Sequence, residues 1–296
     1  MSSPNEFLNI FRRNPGNLRT LGISREKLRE EVLEYFEAGV VIRPGDVVMD
    51  VGANVGAFSL MAAERTGGNI TLHCFEPAVP TFQVLQRNFK HQTIMKRTRR
   101  TVNCLALTRP EMAGQEREFH FFKRFPTDST YDLPEKRRDF ENFFKEKSEM
   151  MENFLAKWIP LLGAPIGAGL RALIQYVCNR ENSFGMWLAD IVTGRQVMIC
   201  RMESLENWVR QQKIEQVNLL KIDVEGAEAD VLAGVGQAWP IIQQVAIETH
   251  DRSDRKKQII ALLKSKGLNQ VNEFSPKVVE LSALDNVLLV ARRMRH

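Results

Sequence analysis

At 296 residues the chain is long enough for one large domain or two small ones, and its 44% hydrophobic and 26% charged content excludes disorder. The net charge of +5 is a mild basic bias, densest at Lys96, Arg97, Arg99 and Arg100, then at Lys136 to Arg138 and in the tail Arg292, Arg293 and Arg295. Without interleaved aromatics these runs read as solvated faces, not as a nucleic-acid surface.

The N-terminus (MSSPNEFLNIFRRNPGN) lacks the apolar stretch of a signal peptide. Over 24–39, Leu28, Val32, Leu33 and Phe36 recur at helical spacing between Ser24, a good N-cap, and Gly39, a good terminator. This predicts a lid or brace helix in an N-terminal extension, residues 1–43, ahead of a main domain at 44–296. Pro44-Gly45-Asp46 turns the chain into that domain. Strand 47–51, helix 56–65, strand 70–75, helix 78–90 and strand 101–106 follow. After an interruption come strand 217–222, helix 226–234, strand 243–248, helix 254–266 and a closing pair near 268–273 and 286–292. Such alternation predicts an α/β fold, a doubly wound and mostly parallel sheet with helices on both faces, closed by an antiparallel edge.

Within the interruption, 118–123 and 196–201 read as two strands able to pair, and 132–192 as an inserted helical lid, charged over 133–151 and apolar over 154–178. The uncharged run Trp158 to Leu170 is too short to span a bilayer and carries two prolines, so no transmembrane segment is expected. Cys74, Cys104, Cys178 and Cys200 lie far apart, without a CxxC pair or histidines at zinc-ligand spacing. Free thiols in a reducing cytoplasm are the expectation.

Two segments are alike, VVMDVGANVG at 47–56 and LLKIDVEGAE at 219–228: each is an apolar strand that ends in an acid and opens through glycine into a helix. Ligands of open α/β sheets sit outside the carboxyl ends of the strands where strand order reverses, so the two ends predict one shared site. Gly52 and Gly56 permit close approach of backbone to ligand, and Asn54 tolerates left-handed geometry. A dinucleotide fingerprint would need glycine also at 54 and 57, where asparagine and alanine stand, which disfavours a nicotinamide or flavin. Strand 70–75 runs into Glu76, placed to accept hydrogen bonds from both ribose hydroxyls of an adenosine. Asp50 suits a cationic amino group, and the N-terminus of the following helix suits a carboxylate. A ligand with adenosine, ammonium and carboxylate is S-adenosylmethionine. The structural alternatives are a plain turn at the glycines and a Glu76 that only caps the next helix.

DVGANVG, CFEP, the DST of Asp128 to Thr130, CRMESLENWV, NLLKIDVEGAEADVLAGV and VAIETHD together resemble the FkbM-type S-adenosylmethionine-dependent methyltransferases, from about residue 30 to the C-terminus. The subset most similar is found with polyketide and nonribosomal peptide pathways, whose members methylate hydroxyl groups. The resemblance implies a class I methyltransferase (Rossmann-like) sheet over 44–296, with Asp50, Gly52, Asn54 and Gly56 at the first cofactor loop, Glu76 at the ribose, and Asn103 and Ala106 around the adenine on the third strand. The apolar piece 154–178 exceeds the family pattern.

An aliphatic alcohol is a poor nucleophile, so a base near its proton is expected. His250 is the first candidate, because a neutral imidazole is available near pH 7 and a neighbouring carboxylate such as Glu248 holds its tautomer. Asp223 is the second, otherwise orienting the substrate or the methionine end of the cofactor. Glu225 and Glu228 suit the start of a helix as well as a site. Asp223, Glu225, Glu248 and His250 form an oxygen-rich set, yet their spacing is not diagnostic and no metal is expected. Asp223-Val224-Glu225-Gly226 stands where base-directed amino methyltransferases carry an Asn- or Asp-Pro-Pro-aromatic motif, which argues against a nucleobase nitrogen. The expected partners are a small hydroxylated, lipophilic substrate and, if that substrate is tethered, an acidic carrier protein. Segment 154–178 would wall the substrate pocket or touch a membrane surface. An N-methyltransferase of small amines and a noncatalytic adenosine-ligand-binding protein on the same fold are the alternatives.

Overall fold

The structure, a computed structural model, describes residues 25–123, 129–131, 194–250, 254–275 and 286–294. The inserted lid at 132–192, its apolar piece 154–178 and Asp128 lie outside the described residues.

Helix α1 (Arg25–Glu37) is followed by β1 (Val47–Val51), α2 (Ala57–Arg65), β2 (Thr71–Phe75), α3 (Val79–His91) and β3 (Arg99–Asn103). Short β4 (Ala106–Leu107), β5 (Glu116–Phe122) and β6 (Arg195–Glu203) come next, then α4 (Leu205–Gln212), β7 (Leu219–Ile222), α5 (Glu228–Ala233), β8 (Gln244–His250), α6 (Arg255–Ser265), β9 (Gln270–Phe274) and β10 (Asn286–Arg292). The main sheet has seven strands in the order β3-β2-β1-β7-β8-β10-β9. β3, β2, β1, β7 and β8 pair in parallel, while β10 runs antiparallel to both β8 and β9. The order reverses between β1 and β7, which is the switch point where a ligand crevice opens. This is the doubly wound sheet of the class I methyltransferase kind. The expected antiparallel edge differs in one respect: the reversed strand β10 lies one place inside the sheet, and β9 forms the edge.

Strand periodicity divides the core into two layers. Val48, Leu72, Leu219, Ala246 and Leu288 face one layer with α1, α2 and α3; Met49, Val51, Leu220, Ile222, Val245, Ile247 and Leu289 face the other with α4, α5 and α6. Burial on both faces explains why these strands read as continuous apolar runs. Ala57 to Ala63 of α2 are all buried, because the helix lies between the sheet and α1, where Phe36 stacks on Phe58 at 6.0 Å between ring centroids. The predicted N-terminal brace is therefore part of the core: Val32, Tyr35, Ala38 and Val40 are buried in it. It ends at Gly39, whose φ of 109° lets the chain turn so that Val40 N–H donates to Tyr35 O.

The predicted third strand 101–106 is broken in the structure. β3 stops at Asn103, and Ala106 belongs to β4, which leaves the main sheet to pair in parallel with β6, Ala106 opposite Met202. The two predicted inner strands do pair, β5 antiparallel to β6 with Glu116 opposite Arg201. The resulting three-stranded sheet, in the order β4-β6-β5, rises beside the carboxyl ends of the main strands.

Candidate functional site

Loop 52–56 leaves β1 through left-handed backbone at Gly52 (φ 75°), Asn54 (φ 48°) and Gly56 (φ 87°). Gly52 is required on contact as well as on φ, since a Cβ there would lie 1.8 Å from the carbonyl oxygen of Asp223. Gly52 and Ala53 both donate N–H to Phe75 O, and Asp223 N–H donates to Val51 O, so the ends of β1, β2 and β7 are laced together beneath the loop. Gly56 caps α2 without a side-chain acceptor, which leaves the first-turn amides of that helix without a side-chain partner at its cap.

Asp50 pairs in register with Lys221, and Lys221 with Ala246. Alternation along the strands then sends Asp50, Lys221, Asp223 and Glu248 to the face covered by α1 and α2. Lys221 is 3% exposed, with Nζ 3.1 Å from Asp50 Oδ1, 3.1 Å from Asp223 Oδ2 and 3.0 Å from Gly52 O, to which it donates. The Ser59 hydroxyl of α2 donates to Asp50 Oδ2 at 2.7 Å. Burial pulls the Lys221 ammonium down, but Asp223 and Asp50 together outweigh it and hold the pKa above the ordinary lysine value. The Tyr35 hydroxyl of α1 lies 3.3 Å from Asp223 Oδ2 and 3.2 Å from Glu248 Oε2, so its single proton is shared between the two acceptors. Burial first, then Asp223, Glu248 and Asp50, raise the phenol well above its usual range, so it stays a donor.

Beside this network opens a cleft of about 760 Å³, its solvent-open mouth included. Gly52, Asn54, Glu76, Asp223 and Glu225 give it a polar side; Phe75, Leu105, Ala106, Leu107 and Phe119 give it an apolar one. Thr130 and Tyr131 close one wall, held there by paired backbone bonds between Thr130 and His120 and by the Tyr131 hydroxyl on Asp230 Oδ2 at 2.8 Å. The Glu76 carboxylate accepts from Asn54 N–H at 3.0 Å and Ala78 N–H at 2.9 Å. Burial raises it to about 7, against the opposing pull of those two amides.

The structure thus brings Ala106 to the apolar wall of one cleft and Gly52, Asn54, Glu76 and Asp223 to its polar wall. Asp50 is fully buried behind that wall, on Lys221 and Ser59. Asn103 turns its amide back to Cys74 O at 3.0 Å and does not line the cleft, because its strand ends there and the carboxamide closes the ladder. Gly56 acts from below: a Cβ there would meet Leu85 and Phe89 at 2.5 and 2.6 Å, so this glycine lets α3 pack against the loop. Glu248 meets Tyr35 beyond the cleft lining, and the His250 side chain lies outside the described residues. Glu228 turns inward to Gly226 N–H at 3.0 Å and Arg255 at 3.4 Å. Among the described residues no group of histidine, cysteine and carboxylate side chains is arranged to hold a metal ion. Sequence reasoning passed over Tyr35 and Lys221. A lysine inside an apolar strand, two residues before a strand-end acid, was the available signal for Lys221.

The methyltransferase FkbM domain family matches residues 50–269 of the chain. A known relative, the 31-O-demethyl-FK506 methyltransferase FkbM of Streptomyces tacrolimicus, is 32% identical over 243 residues, 82% of this chain and 80% of that protein. The AMB antimetabolite synthetase AmbE of Pseudomonas aeruginosa is 28% identical over 221 residues, 74% of this chain and 9% of that much longer protein. Among solved structures, the methyltransferase FkbM of Methylobacillus flagellatus superimposes with a TM-score of 0.47 at 12% identity, covering 97% of this chain and 60% of that one.

Proposed function

The chain belongs to the FkbM family of S-adenosylmethionine-dependent methyltransferases, and from that premise we propose that its acceptor is a hydroxyl group of a small, lipophilic, natural-product-like molecule, free or tethered to an acidic carrier protein. One observation carries the reading of the site: Glu76, the Gly52 to Asn54 turn and Asp223 line a single cleft at the switch point, against an apolar wall.

The donor set fits the cofactor. Glu76 holds a carboxylate at the end of β2, where it can accept from two ribose hydroxyls, and Leu105, Ala106 and Phe119 offer apolar surface to a purine. Asn54 Oδ1 is buried without a hydrogen-bond partner, an acceptor left over in the cleft wall. Asp223, whose side chain is 37% exposed, can reach a ligand while Lys221 holds it from behind. When bound, S-adenosylmethionine supplies an electrophilic methyl group. What Glu76, Asn54 and the apolar wall contribute is alignment and exclusion of water.

For proton removal the groups proposed are His250 at the end of β8, Asp223 as the second candidate, and Glu248 as the carboxylate that holds a neighbouring imidazole. A well-placed base is worth roughly 100- to 10,000-fold. The name of the Streptomyces relative, which specifies an O-demethyl compound, supports a hydroxyl acceptor, and similarity to part of a synthetase supports a carrier-bound one.

The test is calorimetric titration with S-adenosylmethionine and its demethylated product, followed by transfer of labelled methyl to a panel of hydroxylated macrolactones and carrier-bound acyl chains. Wild type binds both cofactor forms, Glu76→Ala loses at least tenfold in affinity, and NMR of the product places the methyl on oxygen. Unchanged affinity in Glu76→Ala would mean the cleft has been misassigned, and a methyl on nitrogen would replace the hydroxyl reading with an amine one.

A further inference from the structure

The hydroxyl of Tyr35 spans two carboxylates that come from different strands and different parts of the chain. It lies 3.3 Å from Asp223 Oδ2 and 3.2 Å from Glu248 Oε2, and the phenol is 6% exposed. We infer that Tyr35 is a positioning residue of the methyl-transfer site: its hydroxyl fixes the orientation of the Asp223 and Glu248 carboxylates, and so makes the N-terminal helix part of the catalytic apparatus. The kinetic part of this inference rests on the reading above; the hydrogen-bonding part does not.

The physical argument runs from register. The ladder of β7 and β8 runs to Ile222 opposite Ile247, and just past it Asp223 and Glu248 both come within 3.3 Å of the Tyr35 hydroxyl. Two neighbouring carboxylates repel, and one of them is driven to take up a proton unless donors or cations are supplied. Among the described residues, three elements bring charged or donor groups toward the pair. From β7 comes Lys221, on Asp223 Oδ2; from β1 comes Asp50, which shares that lysine and adds negative charge; from α1 comes Tyr35. Lys221 reaches Asp223, whereas the tyrosine reaches both members of the pair.

The phenol is itself held in place. Its ring packs on Phe58 of α2 at 5.2 Å between centroids, and Lys221 Nζ lies over it at 5.8 Å. Its own proton is retained throughout the working pH range because burial and three surrounding carboxylates oppose ionisation. A donor that cannot ionise, seated between two acids, is a fixed reference for both. A mere filler of that space would need no oxygen, and phenylalanine would serve as well.

Tyr35→Phe removes the oxygen alone, and Phe36→Leu serves as the control, since it loosens the same helix on Phe58 without touching the carboxylates. The first measurement is carboxyl 13C NMR titration of the labelled protein, with Asp223→Asn and Glu248→Gln as assignment standards; it needs neither cofactor nor turnover. In Tyr35→Phe the carboxyl resonance of at least one of the two moves across the titration, and in Phe36→Leu neither moves. The second is the pH profile of kcat with cofactor affinity measured alongside. Tyr35→Phe lowers kcat 10- to 100-fold at neutral pH, moves the acidic limb to higher pH, and leaves cofactor Kd within threefold. Titration curves of the pair that do not change in Tyr35→Phe would overturn the inference. So would a kcat loss matched by Phe36→Leu with an unmoved limb, which is the signature of a structural role. If wild type itself neither binds cofactor nor turns over, the methyl-transfer reading fails while the NMR result still decides whether Tyr35 governs the pair.

Discussion

Asp50 and Glu76 are acids at the carboxyl ends of adjacent parallel strands, in line with the same loop, and the structure treats them in opposite ways. Asp50 is sealed inside, with Lys221 and the Ser59 hydroxyl on its oxygens. Glu76 faces the cleft, and among the described residues it makes no ion pair; two backbone amides hold it and burial raises its pKa to about 7. A carboxylate with its own lysine has its partners already and serves the fold. One held by amides alone keeps lone pairs for a donor from outside, at the cost of a proton affinity that reaches into the physiological range.

The largest break in that comparison comes from Lys221. Replacing it with methionine leaves Asp50 buried without a counter-charge, and removal of one partner of a buried pair typically costs about 3–5 kcal/mol. Denaturant unfolding of Lys221→Met is expected to show a loss of that size, partly recovered in the double variant Asp50→Asn with Lys221→Met. Full stability in the single variant would show that water reaches Asp50. Gly52→Ala follows: a side chain at φ 75°, 1.8 Å from Asp223 O, pushes β7 from the loop. The expected result is a loss of roughly 2 kcal/mol or more together with loss of cofactor binding, read by thermal melts and calorimetry.

Glu76 sharpens the comparison through pH. Burial holds its carboxyl pKa at about 7; the ionised form offers both oxygens to ribose hydroxyls, whereas the protonated form turns one of them into a donor. Cofactor affinity should therefore tighten as pH rises from 6 to 8 and then level off, and Glu76→Gln should bind more weakly with the slope removed. For stability the sign is reversed. The folded pKa lies above the unfolded value, so the folded state holds a proton that the unfolded chain releases, and the contribution present at low pH is lost as pH rises through about 7. Relative to Glu76→Gln, the melting temperature of wild type should fall between pH 4.5 and 7. The smallest effect belongs to Arg109, 51% exposed on its ion pair with Asp230. Arg109→Ala is expected to cost less than about 1 kcal/mol, in contrast to Lys221.

Much of the site was legible beforehand because strand-end acids and the glycines of a strand-to-helix turn are local signals. The residues of the 52–56 loop and Glu76 were named from neighbours a few positions away, and the same alternation of strands and helices implied the sheet. Asn103 and Ala106 show where local reading stops. Whether the third strand continued through 106 depended on β6, which lies far along the chain and draws Ala106 and Leu107 into a second sheet.

By itself the sequence determined the class of fold, the position of the glycine turn after β1 and the acids that tip the strands, since hydrophobic period, glycine and charge are properties of short segments. Only the tertiary structure decided which of those acids lines the cleft and which is sealed on lysine, and that Tyr35 of the N-terminal helix joins Asp223 and Glu248. The contacts of Tyr35 with Asp223 and Glu248 span 188 and 213 residues. No periodicity encodes such a meeting; it exists because the register of β1, β7 and β8 aligns one face of three strands beneath one helix.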